Sequence, residues 1–234
     1  MLLDLILLFV GFVLLTYGAD IFIDGSSAIA RRFHIPEIVI GLTIVAFGTS
    51  LSEASVSIVS VLHGANGVAV GNILGSNIAN IFLVLGLTAT MSALSIRKNT
   101  IKYEIPFVCF ITVLLMFMGA FYGEISRGGA LLLVALFILF CIYLRKIGMR
   151  DKDIKSEINV KYMSGFKTFL FVVLGITGVI YGSNLIVDSS VNIARIMKIS
   201  ERIIGLTIIA FGTSLPAWRV ERLSRRSAIL TSLE

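Results

Sequence analysis

Seven apolar runs decide the solvent in which this chain folds. They lie at about 2–23, 38–61, 67–94, 104–121, 129–145, 167–188 and 203–216. A helix that crosses a bilayer needs about 20 mostly apolar residues, a length most of these runs meet and the last falls short of. The 234 residues are 57% hydrophobic and 15% charged, where a soluble domain carries about 25% charge. That composition excludes an ordinary soluble enzyme, a disordered tail and a nucleic-acid module. It predicts an all-α polytopic membrane protein with the lipid bilayer as its main partner. The chain opens Met-Leu-Leu-Asp, with no basic stretch before the first run and no small-residue cleavage site after it. The run therefore reads as a first span and not as a removed leader. Cys109 and Cys141 sit in apolar runs and read as small buried hydrophobes, not as a disulfide or metal framework.

Loop charge orients the spans. The connections after spans one, three and five hold Arg31 and Arg32; Arg97, Lys98 and Lys102; and a long basic segment from Arg145 to Lys167. The alternate connections hold little basic charge beyond Arg127. By the positive-inside rule the basic connections are cytoplasmic, which puts the N-terminus outside. The connection after span six, with Arg195, Lys198 and Arg202, is basic yet falls outside on this count.

A repeat explains that exception. Residues 18–51 and 182–215, offset by 164, are identical at 19 of 34 positions. Asp24 aligns with Asp188, Arg31 with Arg195, Glu37 with Glu201, and the segment GLTI-AFGTSL with itself. Shared apolar composition alone would not align those charges. Five spans precede the linker, so the second copy starts from the opposite face. The expected plan is an inverted five-helix repeat, a common architecture of secondary transporters with the site at the bilayer midplane. The second copy is incomplete, with about seven spans present of the ten that two full copies would give. The units are a first repeat at 1–146, a basic linker at 147–166, the start of the second repeat at 167–216 and an arginine-rich tail at 217–234.

Two polar clusters interrupt the apolar runs. Span two carries Gly48-Thr49-Ser50-Leu51-Ser52-Glu53, and Thr49 and Glu53, four apart, share a helix face. An acid at that depth costs about 2.5–3.5 kcal/mol on insertion scales and calls for a partner. Arg31, Arg32 and His63 belong to span ends, so a bound cation is the simpler partner. Span three carries Gly71-Asn72-Ile73-Leu74-Gly75-Ser76-Asn77-Ile78-Ala79-Asn80. Ser76 and Asn80 share a face, and Gly71 and Gly75 permit close helix approach. Neutral oxygens with one carboxylate suit Na⁺ or Ca²⁺, not a transition metal. Asn72 and Asn77 are read as cross-links between helices, Asp20 and Asp24 as end caps or gate contacts, and His34 and His63 as solvated loop histidines. Glu104 opens span four, where the helix dipole favours an acid. Gly11, Gly18, Gly175, Gly178 and Gly182 read as packing points. No nucleophile–base pair, zinc-type histidine cluster or phosphate loop marks an enzyme, and no resident cofactor or nucleic-acid partner is expected. Nothing in the sequence fixes an oligomeric state.

With these residues in view, the chain resembles the sodium/calcium exchanger family of cation/calcium antiporters. The resemblance is carried by GLTIVAFGTSLSE at 41–53, VGNILGSNIANIFLVLGL at 70–87 and GLTIIAFGTSLP at 205–216. It implies ten spans in two inverted repeats, one cation site shared by spans two, three, seven and eight, and alternating access with the first and sixth helices sliding against the rest. It implies an integral protein of the plasma (cell inner) membrane exchanging Ca²⁺ against Na⁺, with H⁺ the alternative coupling ion. Carried over by position, the first half-site is the Ala46 carbonyl, Thr49, Ser50, Glu53, Ser76 and Asn80. The second is the Ala210 carbonyl, Thr213 and Ser214. Glu53 would hold Ca²⁺, and the hydroxyl, amide and carbonyl oxygens would supply the Na⁺ positions.

The chain departs from the family pattern twice. Ser52 stands where the first copy expects a kinking proline, and Ala217 stands where the second expects a glutamate. After Ala217 the tail carries Trp218, Arg219, Arg222, Arg225 and Arg226 in place of an apolar span. The expectation is a frameshift or premature end in the gene, leaving a truncated exchanger that transports poorly alone. The other readings are an intended short form and a half-protein that pairs with another chain. Sequencing the coding DNA from the Pro216 codon tests this. The expected result is a second frame that continues as glutamate, an apolar span and another G-N-x-x-G-S-N; its absence in all frames would make the arginine-rich end genuine.

Overall fold

The computed structural model describes residues 1–33, 35, 40, 44, 46–91, 96, 98–123, 125–150 and 163–214. His34, Glu37, Arg97, most of the basic linker and everything from Leu215 on, including Pro216, Ala217 and Trp218, lie outside the described residues. Helix α1 is Leu2–Arg32. A turn at Ala46–Thr49 leads over Ser50 into α2, Leu51–Leu62. Helix α3 runs from Asn66–Ile78 through π-helical turns at Ala79–Leu85 to Gly86–Met91. Helix α4 runs from Thr100–Glu104 into Ile105–Tyr122, and α5 is Arg127–Arg150. Helix α6 is Gly165–Met197. Helix α7 opens at Glu201–Ile204, widens into π-helical turns at Gly205–Ile209 and continues to Ser214.

Among the described residues the regular structure is helix, joined by short turns, and five helices are long and apolar enough to cross a membrane: Leu2–Arg32, Asn66–Thr90, Thr100–Phe121, Arg127–Leu144 and Gly165–Met197. The expected second and seventh spans fall partly on residues outside the described set. Large apolar side chains such as Phe82, Met116, Leu131 and Phe169 stand exposed, the surface expected of helices solvated by lipid. Cys109 is exposed in the same way and not buried as the sequence reading had it, because the outer surface of a membrane helix is apolar too.

Two helices outrun their apolar cores. Helices α1 and α6 have 31 and 33 residues, about 46–50 Å at 1.5 Å per residue, against a hydrocarbon core of about 30 Å. Asp20 and Asp24 are therefore not end caps: the helix continues past them to Arg32.

The chain divides into two compact units, 1–91 with 154–234, and 92–153. In the smaller, α4 and α5 form an antiparallel hairpin. Phe107 stacks on Phe140 at 5.2 Å, and α4 ends at Gly123, whose φ of 67° is the left-handed conformation that suits glycine.

In the larger unit α1 and α6 make the most extensive pairing. They cross antiparallel, through glycines. A Cβ on Gly18 would sit 2.7 Å from the Val179 nitrogen and one on Gly175 2.6 Å from the Phe22 nitrogen. One on Gly182 would sit 2.6 Å from the Leu15 nitrogen. With no side chain between them the backbones touch, the approach small residues give membrane helices. The contact is symmetric under the repeat. The offset of 164 carries Gly11 to Gly175 and Gly18 to Gly182, so Gly11 against Gly182 maps onto Gly175 against the turn holding Gly18. Polar ties hold both ends: Asn192 donates to Asp4 at 3.3 Å, and Arg32 donates to the Met163 carbonyl at 2.7 Å. Leu8, Leu15, Ala19, Val179, Ile186 and Val187 of this pair join Val56, Val68, Ile204 and Ile209 in one core.

A second glycine crossing joins α3 to α7. Gly71 lies against Arg202, Gly205 and Leu206, and Gly75 against Leu206 and Ala210, so these helices run parallel. Since α2 and α3 are consecutive and antiparallel, α2 runs opposite to α7. The offset of 164 makes α1 and α6 equivalent, and that pair runs antiparallel, as an inverted repeat requires.

Gly175→Ala is expected to destabilise the protein by about 1–3 kcal/mol through overpacking. Gly119→Ala, where a Cβ meets nothing within 4 Å, should leave stability unchanged or raise it by about 0.5–1 kcal/mol. Thermal unfolding of the two variants in one detergent checks the pair.

Candidate cation site

The site forms where α2 and α3 of the first copy meet α7 of the second. Ser50 breaks the helix between Ala46–Thr49 and α2, and its carbonyl accepts from the Ala54 N–H at 3.0 Å. Gly48 lets α1 pack closely on this turn, since a Cβ there would meet the Ile23 side chain. Ala46 opens the turn Ala46–Thr49, Thr49 is half-buried and Ser50 is exposed. Glu53, in the first turn of α2, is half-buried.

Ser76, Ala210 and Thr213 come directly together. The Ser76 and Thr213 hydroxyls lie 3.1 Å apart, and the Thr213 hydroxyl is 3.2 Å from the Ala210 carbonyl. Thr213 and Ser214 are buried. One turn beyond Ser76, Asn80 stands at the start of the π-helical turns of α3. Such turns recur at functional sites because they redirect a side chain out of the regular register. Five side-chain oxygens are buried without a hydrogen-bond partner among the described residues; Ser27 Oγ, Tyr143 Oη and Ser190 Oγ lie outside the candidate set, and Asn80 Oδ1 and Ser214 Oγ belong to it. A buried acceptor without a partner costs about 1–3 kcal/mol, and a hard cation is a partner both oxygens fit. Among the described residues no three His, Cys, Asp or Glu side chains cluster, so the donor set is hydroxyl, amide and carbonyl oxygen with one carboxylate.

Two residues do more than the sequence reading assigned them. Ser52, seen there only as a missing proline, is fully buried, with its hydroxyl 3.0 Å from Glu53 Oε2, 3.2 Å from the Thr49 carbonyl and 2.9 Å from the Thr213 carbonyl. Asn72, read as a cross-link, is one: it donates to the Glu53 carbonyl and to Ser57, and accepts from Thr213 and Ser76. The available signal was spacing, since Asn72 precedes Ser76 by one helical turn and Ser52 adjoins Glu53. Asn77 is exposed. His63 is not simply solvated. Its Nδ1 lies 2.9 Å from Asp188 Oδ1, joining the end of α2 to α6. A polar line also runs from the site to α6, with Ser55 donating to the Ser52 carbonyl and Ser183 to Ser55 at 2.9 Å.

Residues 3–146 and 167–217 match the sodium/calcium exchanger protein family. The chain belongs to the sodium/calcium exchanger family. Its relatives include the inner membrane protein YrbG of Escherichia coli, 34% identical over 92% of this chain and 69% of that protein. Another is the sodium/calcium exchanger MaX1 of Methanosarcina acetivorans, 30% identical over 91% of this chain and 72% of that protein. Among solved structures, the sodium-calcium exchanger NCX_Mj soaked with 2.5 mM Na⁺ and 10 mM Sr²⁺ superposes with a TM-score of 0.57. The two are 35% identical, and the match covers 94% of this chain and 71% of that one. Membership makes this an integral, multi-pass protein of an antiporter family, not of an enzyme family. In an exchanger, a helix crossing that joins the two repeats sets the relative position of the oxygens each supplies. The Ser52–Thr213 bond is such a join. Ser52→Ala is expected to lower stability by about 1 kcal/mol, read as a lower thermal midpoint in detergent; an unchanged midpoint would show the bond is not a link.

Proposed function

We propose that this chain carries the cation-binding core of a Na⁺/Ca²⁺-type antiporter, with Ca²⁺ as cargo and Na⁺ as the coupling ion. It would reside in the plasma (cell inner) membrane with its N-terminus outside, the orientation the basic connections favour. The observation that carries the proposal is the meeting of Ser76 with Thr213, from opposite copies, beside Glu53, with Asn80 Oδ1 and Ser214 Oγ buried and without a partner among the described residues. The Ala46 carbonyl, Thr49 and Ser50 complete the first half-site, and the Ala210 carbonyl, Thr213 and Ser214 the second. Polar groups meeting between inverted repeats are the binding-site plan of secondary transporters.

Alternating access in this reading is a slide of the α1–α6 pair along the frame of α2, α3 and α7. Two polar contacts tie α6 to that frame, Ser183 to Ser55 and Asp188 to His63, and both must exchange partners as the pair moves.

Charge limits the cargo. Glu53 balances one Na⁺, but with Ca²⁺ it leaves one positive charge, and the position equivalent to Glu53 holds Ala217. Residues 1–234 by themselves therefore move Ca²⁺ weakly or not at all, and full activity requires a second carboxylate from elsewhere. A Glu-centred site also cycles protons, so H⁺ is the competing coupling ion.

Glu53→Gln keeps the side chain's shape and removes its charge. It is expected to weaken Ca²⁺ binding to the purified chain in nanodiscs by about tenfold or more, since a charged ligand is worth about 1.5–3 kcal/mol. Retained binding would show that the acid is not a ligand. In proteoliposomes, Ca²⁺ uptake driven by a Na⁺ gradient at clamped pH, compared with a pH gradient alone, separates the two coupling ions. Strong sodium-driven uptake by residues 1–234 would overturn the charge argument.

A further inference from the structure

Asn72 is absent from the set of oxygens assigned to the cation, yet it contacts both copies. Its side chain is fully buried. Nδ2 donates to the Glu53 carbonyl at 3.1 Å and to Ser57 Oγ at 3.0 Å. Oδ1 accepts from Thr213 Oγ1 at 3.0 Å and from Ser76 Oγ at 3.4 Å. A primary amide has two N–H donors and two acceptor lone pairs, and here all four are used. The partners fix which way the amide faces. Turned over, its oxygen would oppose the Glu53 carbonyl, acceptor against acceptor.

The consequence falls on the two hydroxyls. Each has a single hydrogen. With both hydrogens directed at Asn72 Oδ1, the Thr213 and Ser76 oxygens, 3.1 Å apart, keep their lone pairs for a shared third partner. The other acceptors within reach of Thr213 are the Ser76 hydroxyl oxygen at 3.1 Å and the Ala210 carbonyl at 3.2 Å, both among the oxygens assigned to the cation. When those two face a cation, Asn72 is the acceptor that remains.

We propose that Asn72 is the positioning residue of the cation site. It directs the hydrogens of the Thr213 and Ser76 hydroxyls away from the cation, so that both act as acceptors, without itself touching the cation. This rests on the reading of Thr213 and Ser76 as ligands given above.

Asn72→Asp and Asn72→Leu separate positioning from simple cross-linking. Aspartate keeps oxygens for the two hydroxyls but loses both donors and adds an acid; leucine keeps the volume and loses all four bonds. A cross-linking residue would suffer from either change, and from the buried acid at least as much. The measurement is calorimetric titration of the 1–234 chain in nanodiscs with Ca²⁺, and separately with Na⁺. Positioning predicts that Asn72→Asp stays within about threefold of wild type while Asn72→Leu loses about tenfold or more in affinity. It also predicts that adding Thr213→Val to Asn72→Leu costs little further, because the two act through one bond. Equal losses for Asp and Leu, or full additivity with Thr213→Val, would overturn it. Should Asn72→Leu fail to fold, Asn72→Asp decides alone, since a large loss there contradicts positioning. A wild-type chain that binds neither ion would instead bring down the cation-site reading itself, and the wild-type titration distinguishes that failure from a failure of Asn72.

Discussion

Backbone-to-backbone contact at glycine is the constraint on which the rest of the larger unit depends. In lipid, helices gain little by hiding apolar side chains from an equally apolar solvent, so close packing and polar ties must hold them together. Here both inter-repeat crossings are made at glycines. Gly11, Gly18, Gly175 and Gly182 let α1 and α6 touch, and Gly71, Gly75 and Gly205 let α3 and α7 touch. The second crossing places Ser76 within 3.1 Å of Thr213. A side chain at Gly75 would meet Ala210 and the Leu206 backbone, forcing apart the two helices that carry those hydroxyls.

The duplication supplies symmetry, and the site uses its breakdown. Thr49 and Thr213, Ser50 and Ser214, and Ala46 and Ala210 are equivalent pairs, but in the sequence repeat Ser52 corresponds to Pro216 and Glu53 to Ala217. Ser52 has a hydroxyl where its counterpart has a ring, and that hydroxyl spans the copies to the Thr213 carbonyl. Glu53 is left as the single acid among the site residues, surrounded by neutral oxygens. That set is hard and weakly charged, which matches Na⁺ in charge and Ca²⁺ only in ligand type.

The two crossings differ in what surrounds them. The α3–α7 contact is framed by hydrogen bonds from Asn72 and Ser52, which fix the helices in register. The α1–α6 contact is smoother along its middle, with polar ties at its two ends and two further ones from α6 to the frame. A smooth pair against a pinned frame is the arrangement the proposed slide needs: glycines line both crossings, and the hydrogen bonds of Asn72 and Ser52 gather at the α3–α7 one.

Much of this was legible in the chain itself. Hydropathy marked the spans, since about 20 apolar residues have no other stable use. The offset of 164 with five spans before the linker required opposed copies, and the glycines of spans one and six read correctly as packing points. The polar turns at Gly48–Glu53 and Gly71–Asn80 stood out because lipid makes such residues costly, and the structure packs them together. Three things needed the tertiary structure. Helices α1 and α6 run past their apolar cores, because a helix continues wherever its ends find polar ties. His63 meets Asp188, which are 125 residues apart in sequence. Asn72 and Ser52 are joined to Thr213 across the repeats, and no local spacing encodes that pairing. Sequence by itself determined which residues are costly in lipid and how often the pattern recurs, because those depend on composition and period. Only the tertiary structure decided which atoms face one another, because hydrogen-bond direction and helix register arise when two copies pack.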